Sequence, residues 1–135
     1  MATDIWIHIE HRSKHTNKYV YDFEGDGERV YPLFGTLAGT RGSCEPIYDP
    51  RGLPEDISPE ALKEYQSWEE DAHTPSWLTT VELRKCLDMT IKEYSKEYDV
   101  EDVKLWLKSY EKIYEYMKHK EDEGEESRIV FWFDN

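Results

Sequence analysis

The two ends of this chain are its most strand-like segments, and they constrain the fold more than any other feature. Residues 4–10 alternate strictly, with Ile5, Ile7 and Ile9 on one side and polar or aromatic residues on the other. A period of two is typical of a half-buried strand. Residues 128–134 form an apolar run rich in strand-forming residues. That run predicts a central strand covered on both faces, or one next to the first strand.

A second strand and a short helix are predicted in the first third of the chain. Residues 18–23 read as a strand, and the polar stretch 11–17 suits a hairpin turn between it and the first strand. Residues 31–38 carry apolar side chains at helical spacing, which indicates a short helix. Prolines and glycines punctuate residues 40–59, and we expect a long loop there, of a length that is often functional.

Three further helices are marked by their first residues. Ser58 followed by proline predicts a helix that runs to about residue 68, and residues 69–78 are expected to form a loop. Thr79 and Glu82 have capping-box spacing, which predicts a helix to about residue 94. Asp99 begins the longest predicted helix, whose apolar stripe continues to about residue 120.

Strands at both termini with helices between them predict an α+β fold. We expect a single domain over residues 1–135, with a small antiparallel or mixed sheet that includes both terminal strands. Three to four helices should pack against one side of this sheet. The long helix that carries Trp106 and Tyr110 should rest on the apolar side of the terminal strands.

Acidic residues outnumber basic ones, with 30 Asp and Glu against 17 Lys and Arg and a net charge of −13. Residues 45–88 hold 11 acidic and 4 basic side chains. Such a field repels nucleic acid and anionic membranes and attracts basic surfaces. The same charge also serves plain solubility. Aromatic residues make up 14% of the chain, which suits either a core or a contact surface.

Cysteine usage and hydropathy indicate a cytoplasmic protein. Cys44 and Cys86 are too few for a disulfide framework, so reduced thiols are expected. The first residues lack the basic and apolar regions of a signal peptide, and no apolar run has the length of a membrane span.

The polar side of the first strand is one candidate site. Asp4, His8 and Glu10 lie on the same face at alternate positions, so their side chains can converge on a ligand or a metal. The alternative is an ordinary strand face in contact with solvent, which the large side chain of Trp6 in the same row favours. No metal is therefore predicted as a resident ligand.

The loop before the capping box is a second candidate. Asp71, His73 and Ser76 fall within six residues and resemble parts of a hydrolase site, because a carboxylate can orient an imidazole. No nucleophile elbow accompanies them, and Asp and Ser before a helix more often stabilise turns. We therefore expect no catalytic residue here. A ligand site that includes His73 and Trp77 remains an alternative.

Arg41 and Arg51 lie in the long predicted loop of a chain with only six arginines. Arginine in a loop can bind phosphate or carboxylate through two parallel hydrogen bonds. In so acidic a chain it can equally tie the loop to neighbouring carboxylates. Phosphate-binding glycine loops, dinucleotide fingerprints and zinc-type spacings are absent from the sequence, so no cofactor is predicted.

The chain resembles a family of small proteins encoded by tailed bacteriophages and prophages. The stretches that carry the resemblance are TDIWIHIE at 3–10, YPLFGTLAGTR at 31–41, EPIYDPRGLPEDISPE at 45–60, DAHTPSWLTTVEL at 71–83 and RIVFWFDN at 128–135. Members of the family have histidine where this chain has Trp6, and only His8, one same-face position further on, offers an imidazole here. The resemblance implies a phage accessory product that acts inside a bacterium, and it implies no activity.

These observations favour a binding protein over an enzyme. We expect an acidic, phage-encoded protein that binds and inhibits a host protein with a basic surface, such as a defence factor, by presenting a DNA-like negative surface. The alternative is a protein that binds or hydrolyses a nucleotide-like signal, with His8, Glu10, Arg41, Arg51, His73 and Trp77 around one pocket. A structural or regulatory protein without a site is the third interpretation.

Overall fold

The computed structural model of the chain describes residues 2–42 and 44–135. Within these residues, four strands form one sheet, and five α-helices and a short 3-10 turn accompany it. The elements in chain order are β1 (Asp4–Arg12), β2 (Tyr19–Gly25), α1 (Tyr31–Ala38), α2 (Pro59–Ser67), the 3-10 turn (Glu69–Asp71), β3 (Ala72–Thr79), α3 (Thr80–Tyr94), α4 (Val100–Trp106), α5 (Lys108–Asp122) and β4 (Ser127–Asp134). This arrangement confirms the predicted α+β fold.

The sheet is antiparallel throughout and has the order β2-β1-β4-β3, so the two terminal strands are its central neighbours. Ile5, Ile7 and Ile9 lie opposite Phe133, Phe131 and Ile129 respectively. All six side chains are buried on one face and pack in a single core with residues of α1, α3 and α5. The alternation of the first strand thus predicts its buried face correctly, and Tyr110 of α5 belongs to the same core.

The second face of the sheet is also covered, contrary to the prediction that helices pack on one side only. Tyr65 of α2 contacts the ring of Trp132, with the ring centroids 5.2 Å apart. Trp68, just after α2, lies against Trp6 with a centroid separation of 4.8 Å. Because both faces are covered, every residue of β4 from Ser127 to Phe133 is buried.

Residues 69–78 are not the predicted loop, because Ala72–Thr79 forms the fourth strand. This strand lies at the sheet edge, and its register with β4 shifts between His73 and Ser76. Thr74 has a φ of 53°, in the left-handed region, and a proline follows it. Proline and bulges are tolerated in edge strands because one side of the strand donates no ladder hydrogen bonds. Turn-forming residues therefore concealed this strand in the sequence.

The long helix predicted from Asp99 is two helices that meet at Leu107. Leu107 has φ −96° and ψ 6°, outside the helical range, and its side chain is fully buried. Val103 of α4 and Tyr110 of α5 are buried on either side of it. The apolar stripe continues through the break because both helices bury residues in the molecular interior, so periodicity alone does not reveal the turn.

The predicted helix starts at Ser58, Thr79 and Asp99 are confirmed. Ser58 Oγ accepts a hydrogen bond from the Ala61 amide, and Asp99 accepts one from Glu101. Thr79 and Glu82 form the reciprocal capping box. The Ser58 cap marks where the long segment after α1 rejoins regular structure.

Candidate functional site

A buried ion pair occupies the centre of the second sheet face. Glu10 of β1 lies opposite Arg128 of β4, and their side chains are 0% and 4% exposed. Arg128 Nε donates to Glu10 Oε1 at 2.8 Å, and Arg128 Nη1 donates to Asp56 Oδ1 at 2.8 Å. The guanidinium carbon also lies 3.6 Å from the ring centroid of Tyr19, a cation–π contact.

The same ion pair anchors the start of α2. The second carboxylate oxygen of Glu10, Oε2, accepts the backbone N–H of Ser58 at 2.8 Å. Ser58 in turn caps α2 through its hydroxyl group. Glu10 was predicted to bind a ligand, but its carboxylate is enclosed and fully engaged inside the protein. Its role in this structure is to hold the end of the long loop on the sheet.

His8 lies next to the ion pair on the same face and is only 3% exposed. Its Nδ1 is 2.9 Å from the Tyr21 hydroxyl group, and its ring stacks on Trp132 at a centroid distance of 5.0 Å. Burial lowers the pKa of His8, and the carboxylates of Glu64 and Glu10 oppose this effect. The imidazole is therefore held in its neutral form near neutral pH.

The buried His8 predicts acid-sensitive stability. The unfolded chain takes up a proton on this imidazole as the pH falls through about 6.5, whereas the folded chain does so only at lower pH because its pKa is lowered. The free energy of unfolding should therefore decrease below that pH. His8→Gln should flatten this part of the profile in urea denaturation series. The same substitution at the exposed His15 should leave the profile unchanged, and a wild-type profile without the decrease would refute the assignment.

The three residues considered for a metal share a face but do not form a site. The guanidinium group of Arg29 holds Asp4 through hydrogen bonds of 2.6 and 3.2 Å, and these lower the pKa of Asp4. Glu10 is occupied by Arg128, and Nδ1 of His8 by Tyr21, whereas Nε2 of His8 is buried without a hydrogen-bond partner among the described residues. Within the part of the chain that the structure describes, no group of three or more His, Cys, Asp or Glu side chains is placed to hold a metal ion.

The Asp71, His73 and Ser76 arrangement does not have triad geometry. His73 Nδ1 is 2.9 Å from the Thr74 hydroxyl oxygen, and Nε2 is 2.5 Å from the side-chain oxygen of Asn135. Ser76 is buried, and its Oγ accepts the backbone N–H of Arg51 at 3.0 Å. Both imidazole nitrogens and the serine oxygen thus have other partners, which leaves no base next to the hydroxyl group.

His8 and His73 lie on opposite faces of the sheet, so the combined pocket predicted for a small ligand is not formed. His73 lies opposite Phe133, whose side chain points into the main core, and the two rings stack 6.1 Å apart. His8 lies opposite Val130 on the second face. The intervening sheet separates the two imidazoles.

Arg51 ties the long loop to the start of α3. Its guanidinium group donates to both carboxylate oxygens of Glu82, at 2.7 and 2.5 Å, and lies over the ring of Trp77. This bidentate contact, with the amide of Thr79, lowers the pKa of Glu82 to about 2. Arg51 and Trp77 therefore stabilise the loop, which was the alternative considered from the sequence. Arg41 instead donates to the Thr3 hydroxyl oxygen at 2.9 Å and lies over Tyr31.

The strongest concentration of free negative charge lies on and around α2. Residues 55–71 contain seven carboxylates and one lysine. Among the residues with described positions, Asp56 alone of these seven carboxylates forms an ion pair with an arginine or lysine. The other six have no arginine or lysine partner in the part of the chain that the structure describes, so their charge attracts a basic surface that approaches this side of the molecule.

Tyr21 marks the place where carboxylates from two elements meet. Burial raises the pKa of Tyr21, and the negative charges of Glu24, Glu64 and Glu60 raise it further. Glu24 belongs to the edge strand β2, whereas Glu60 and Glu64 are one turn apart on α2. We call the surface formed by Tyr21, Glu24, Glu60 and Glu64 the acidic face.

Two half-buried tryptophans also lie on the side of the sheet that α2 covers. Trp6 and Trp68 are in ring contact, and Trp6 Nε1 donates to Asp134 at 3.0 Å, which fixes the orientation of its indole. Partly exposed, rigid aromatic rings beside charged groups are typical of protein-binding surfaces. This side of the molecule therefore offers both charge and apolar contact area.

The acid excess in the middle of the chain is evident from the sequence, but the residues that form the acidic face are not. Glu60 and Glu64 have the i, i+4 spacing that places both on one side of a helix. Once α2 is predicted, that spacing indicates that Glu60 and Glu64 share one side of the helix. The sequence does not indicate that Glu24 lies on the same surface, because this depends on α2 lying over the second face of the sheet.

Comparison of the chain with protein-family models, with curated proteins and with solved structures gives no match. Over residues 2–42 and 44–135, the helices are all too short or too polar to cross a membrane. Cys44 and Cys86 are both free thiols.

Proposed function

We propose that this chain is a non-enzymatic binding protein that holds a partner protein through a basic surface of that partner. The observation that carries the proposal is the acidic face, where the charges of Glu24, Glu60 and Glu64 all act on Tyr21 and, among the described residues, no arginine or lysine pairs with them. Uncompensated charge of one sign attracts a surface of the other sign and accelerates association.

A rigid support makes these carboxylates suitable for recognition. Glu60 and Glu64 stand about 6 Å apart on one helix, and α2 is fixed to the sheet through Ser58, Glu10 and Arg128. Binding therefore requires little ordering of the acidic face itself, which lowers the entropic cost of association. A row of carboxylates held in this way can occupy a basic groove that normally binds nucleic acid phosphates.

The overall charge supports a protein partner rather than a nucleic acid. A net charge of −13 repels phosphate backbones at long range. On this side of the sheet, His8 Nδ1 and the carboxylate of Glu10 have hydrogen-bond partners within the protein. The resemblance to phage-encoded proteins extends the proposal: the partner is a bacterial host protein, such as a nuclease or another defence factor, which the chain inhibits in the host cytoplasm.

Affinity capture at two ionic strengths tests this function. The tagged chain is incubated with bacterial lysate, and the bound proteins are identified by mass spectrometry. We expect a basic host protein to be retained at low salt and released at high salt, because salt screens contacts between exposed charges. The proposal fails if nothing specific is retained at low ionic strength, or if the retained protein is acidic and resists high salt.

A further inference from the structure

A concave pocket lies at the turn between α3 and α4, away from the residues of the acidic face. Its volume is about 370 Å³, and four aromatic side chains line it. They are Tyr31 of α1, Tyr94 at the end of α3, Tyr98 in the turn and Trp106 at the end of α4. We call this site the aromatic pocket.

The wall of the aromatic pocket is exposed yet ordered. Tyr98 is 51% exposed, although its ring packs edge-on against Trp106 at a centroid distance of 5.2 Å. The edge contact with Trp106 holds the Tyr98 ring in place before any ligand arrives.

Negative charge is concentrated in the chain segment that carries Tyr94 and Tyr98, although the described residues that line the pocket include no carboxylate. Residues 93–102 contain five carboxylates and one lysine, and that lysine, Lys96, pairs with Glu93 at 3.1 Å. Glu97, Asp99, Glu101 and Asp102 are exposed and have no arginine or lysine partner among the residues the structure describes. Arg29 also lines the pocket, but both oxygens of Asp4 accept its hydrogen bonds, so its charge is compensated.

We propose that the aromatic pocket binds an arginine side chain of a partner protein. Arg41 already lies over the ring of Tyr31, so the incoming guanidinium group would stack on Tyr98 or Trp106, because the faces of such rings attract a cation. The neighbouring carboxylates add attraction for the same charge and disfavour an anionic ligand. This site is independent of the acidic face and does not require the function proposed above.

Nuclear magnetic resonance with short peptides tests the pocket directly. The blocked peptide acetyl-Gly-Arg-Gly-amide is titrated into the full chain, and its glutamine and glutamate counterparts serve as controls. We expect the Trp106 indole and Tyr98 ring signals to shift, and to shift several-fold less with glutamine. Equal shifts with the glutamine peptide, larger shifts with the glutamate peptide, or no shift at all would each overturn the proposal.

Matched variants separate the pocket from the rest of the surface. Tyr98→Ala should abolish the shift of Trp106, whereas Tyr98→Phe keeps the ring and should retain most of it. Glu97→Lys, at an exposed position outside the core, should weaken the arginine response without disturbing the fold, so the test stands even if Tyr98→Ala unfolds. Glu60→Lys with Glu64→Lys should leave the response intact. A response that survives both Tyr98→Ala and Glu97→Lys contradicts the assignment.

Discussion

Replacement of Arg128 with methionine is expected to lower the free energy of unfolding by about 3–5 kcal/mol, the usual cost of removing one partner of a buried ion pair. The substitution leaves the carboxylate of Glu10 without its cation in a fully buried position. It also frees Asp56, which holds the end of the long loop. Chemical denaturation followed by tryptophan fluorescence measures the change.

Two further variants identify the cause of this loss. Arg12→Met breaks an ion pair with Glu126 that is largely exposed, and such pairs contribute about 0–1 kcal/mol. Glu10→Met combined with Arg128→Met removes both buried charges, so part of the lost stability should return; the rest stays lost because the Ser58 N–H then has no acceptor. If Arg128→Met costs no more than Arg12→Met, the ion pair does not hold the second face together.

Reversal of the charge on the acidic face should weaken binding to the captured host protein by about tenfold or more, since each close charge pair across an interface contributes about 1.5 kcal/mol or more. The variant carries Glu60→Lys and Glu64→Lys. Both residues lie on the side of α2 that faces Tyr21. Isothermal titration calorimetry at low salt measures the dissociation constant, and the difference should shrink as salt is added.

A matched control removes the effect of net charge alone. Asp49→Lys with Glu115→Lys changes the net charge equally at two exposed positions away from α2. Glu60 lies in the first turn of α2, so its reversal also costs about 0.3–1 kcal/mol of helix stability, which a denaturation curve of each variant detects. Equal weakening by both double variants would show that the overall field, not the acidic face, drives association.

Local signals in the sequence predicted the main core of this protein well. The alternation of Ile5, Ile7 and Ile9 gives the buried face of β1 directly, because strand side chains alternate between faces. Ser58 and the Thr79–Glu82 pair mark helix starts through hydrogen bonds between near neighbours. Such features depend on a few consecutive residues, so no knowledge of the tertiary structure is needed to interpret them.

The second face of the sheet could not be predicted in the same way. Glu10 in an alternating strand indicates a solvent-facing position, and only its pairing with Arg128, 118 residues later, explains its burial. Edge strand β3 is hidden by Pro75 and the left-handed Thr74, which are turn-formers by local criteria. Helix α2 covers this face and buries Glu10, and this coverage arises from long-range contacts of Tyr65 and Trp68.

The candidate functional residues show the same difference between local and long-range information in the sequence. Asp71, His73 and Ser76 are close in sequence, but strand geometry and the partners Thr74, Asn135 and Arg51 separate their reactive atoms. The carboxylates of Glu24 and Glu64 are far apart in sequence and meet only through the fold. Proximity along the chain therefore indicated chemistry that the structure does not assemble, while the acidic face emerged only from the tertiary structure.

Hydrogen–deuterium exchange of the chain with and without its captured host partner tests most directly that the acidic face is the binding surface. Slower exchange should appear in β2 and α2, the elements that carry Glu24, Glu60 and Glu64, and should disappear with Glu60→Lys and Glu64→Lys. Protection confined to α5 or to the β1–β2 turn, with β2 and α2 unchanged, would place the partner elsewhere and contradict the account.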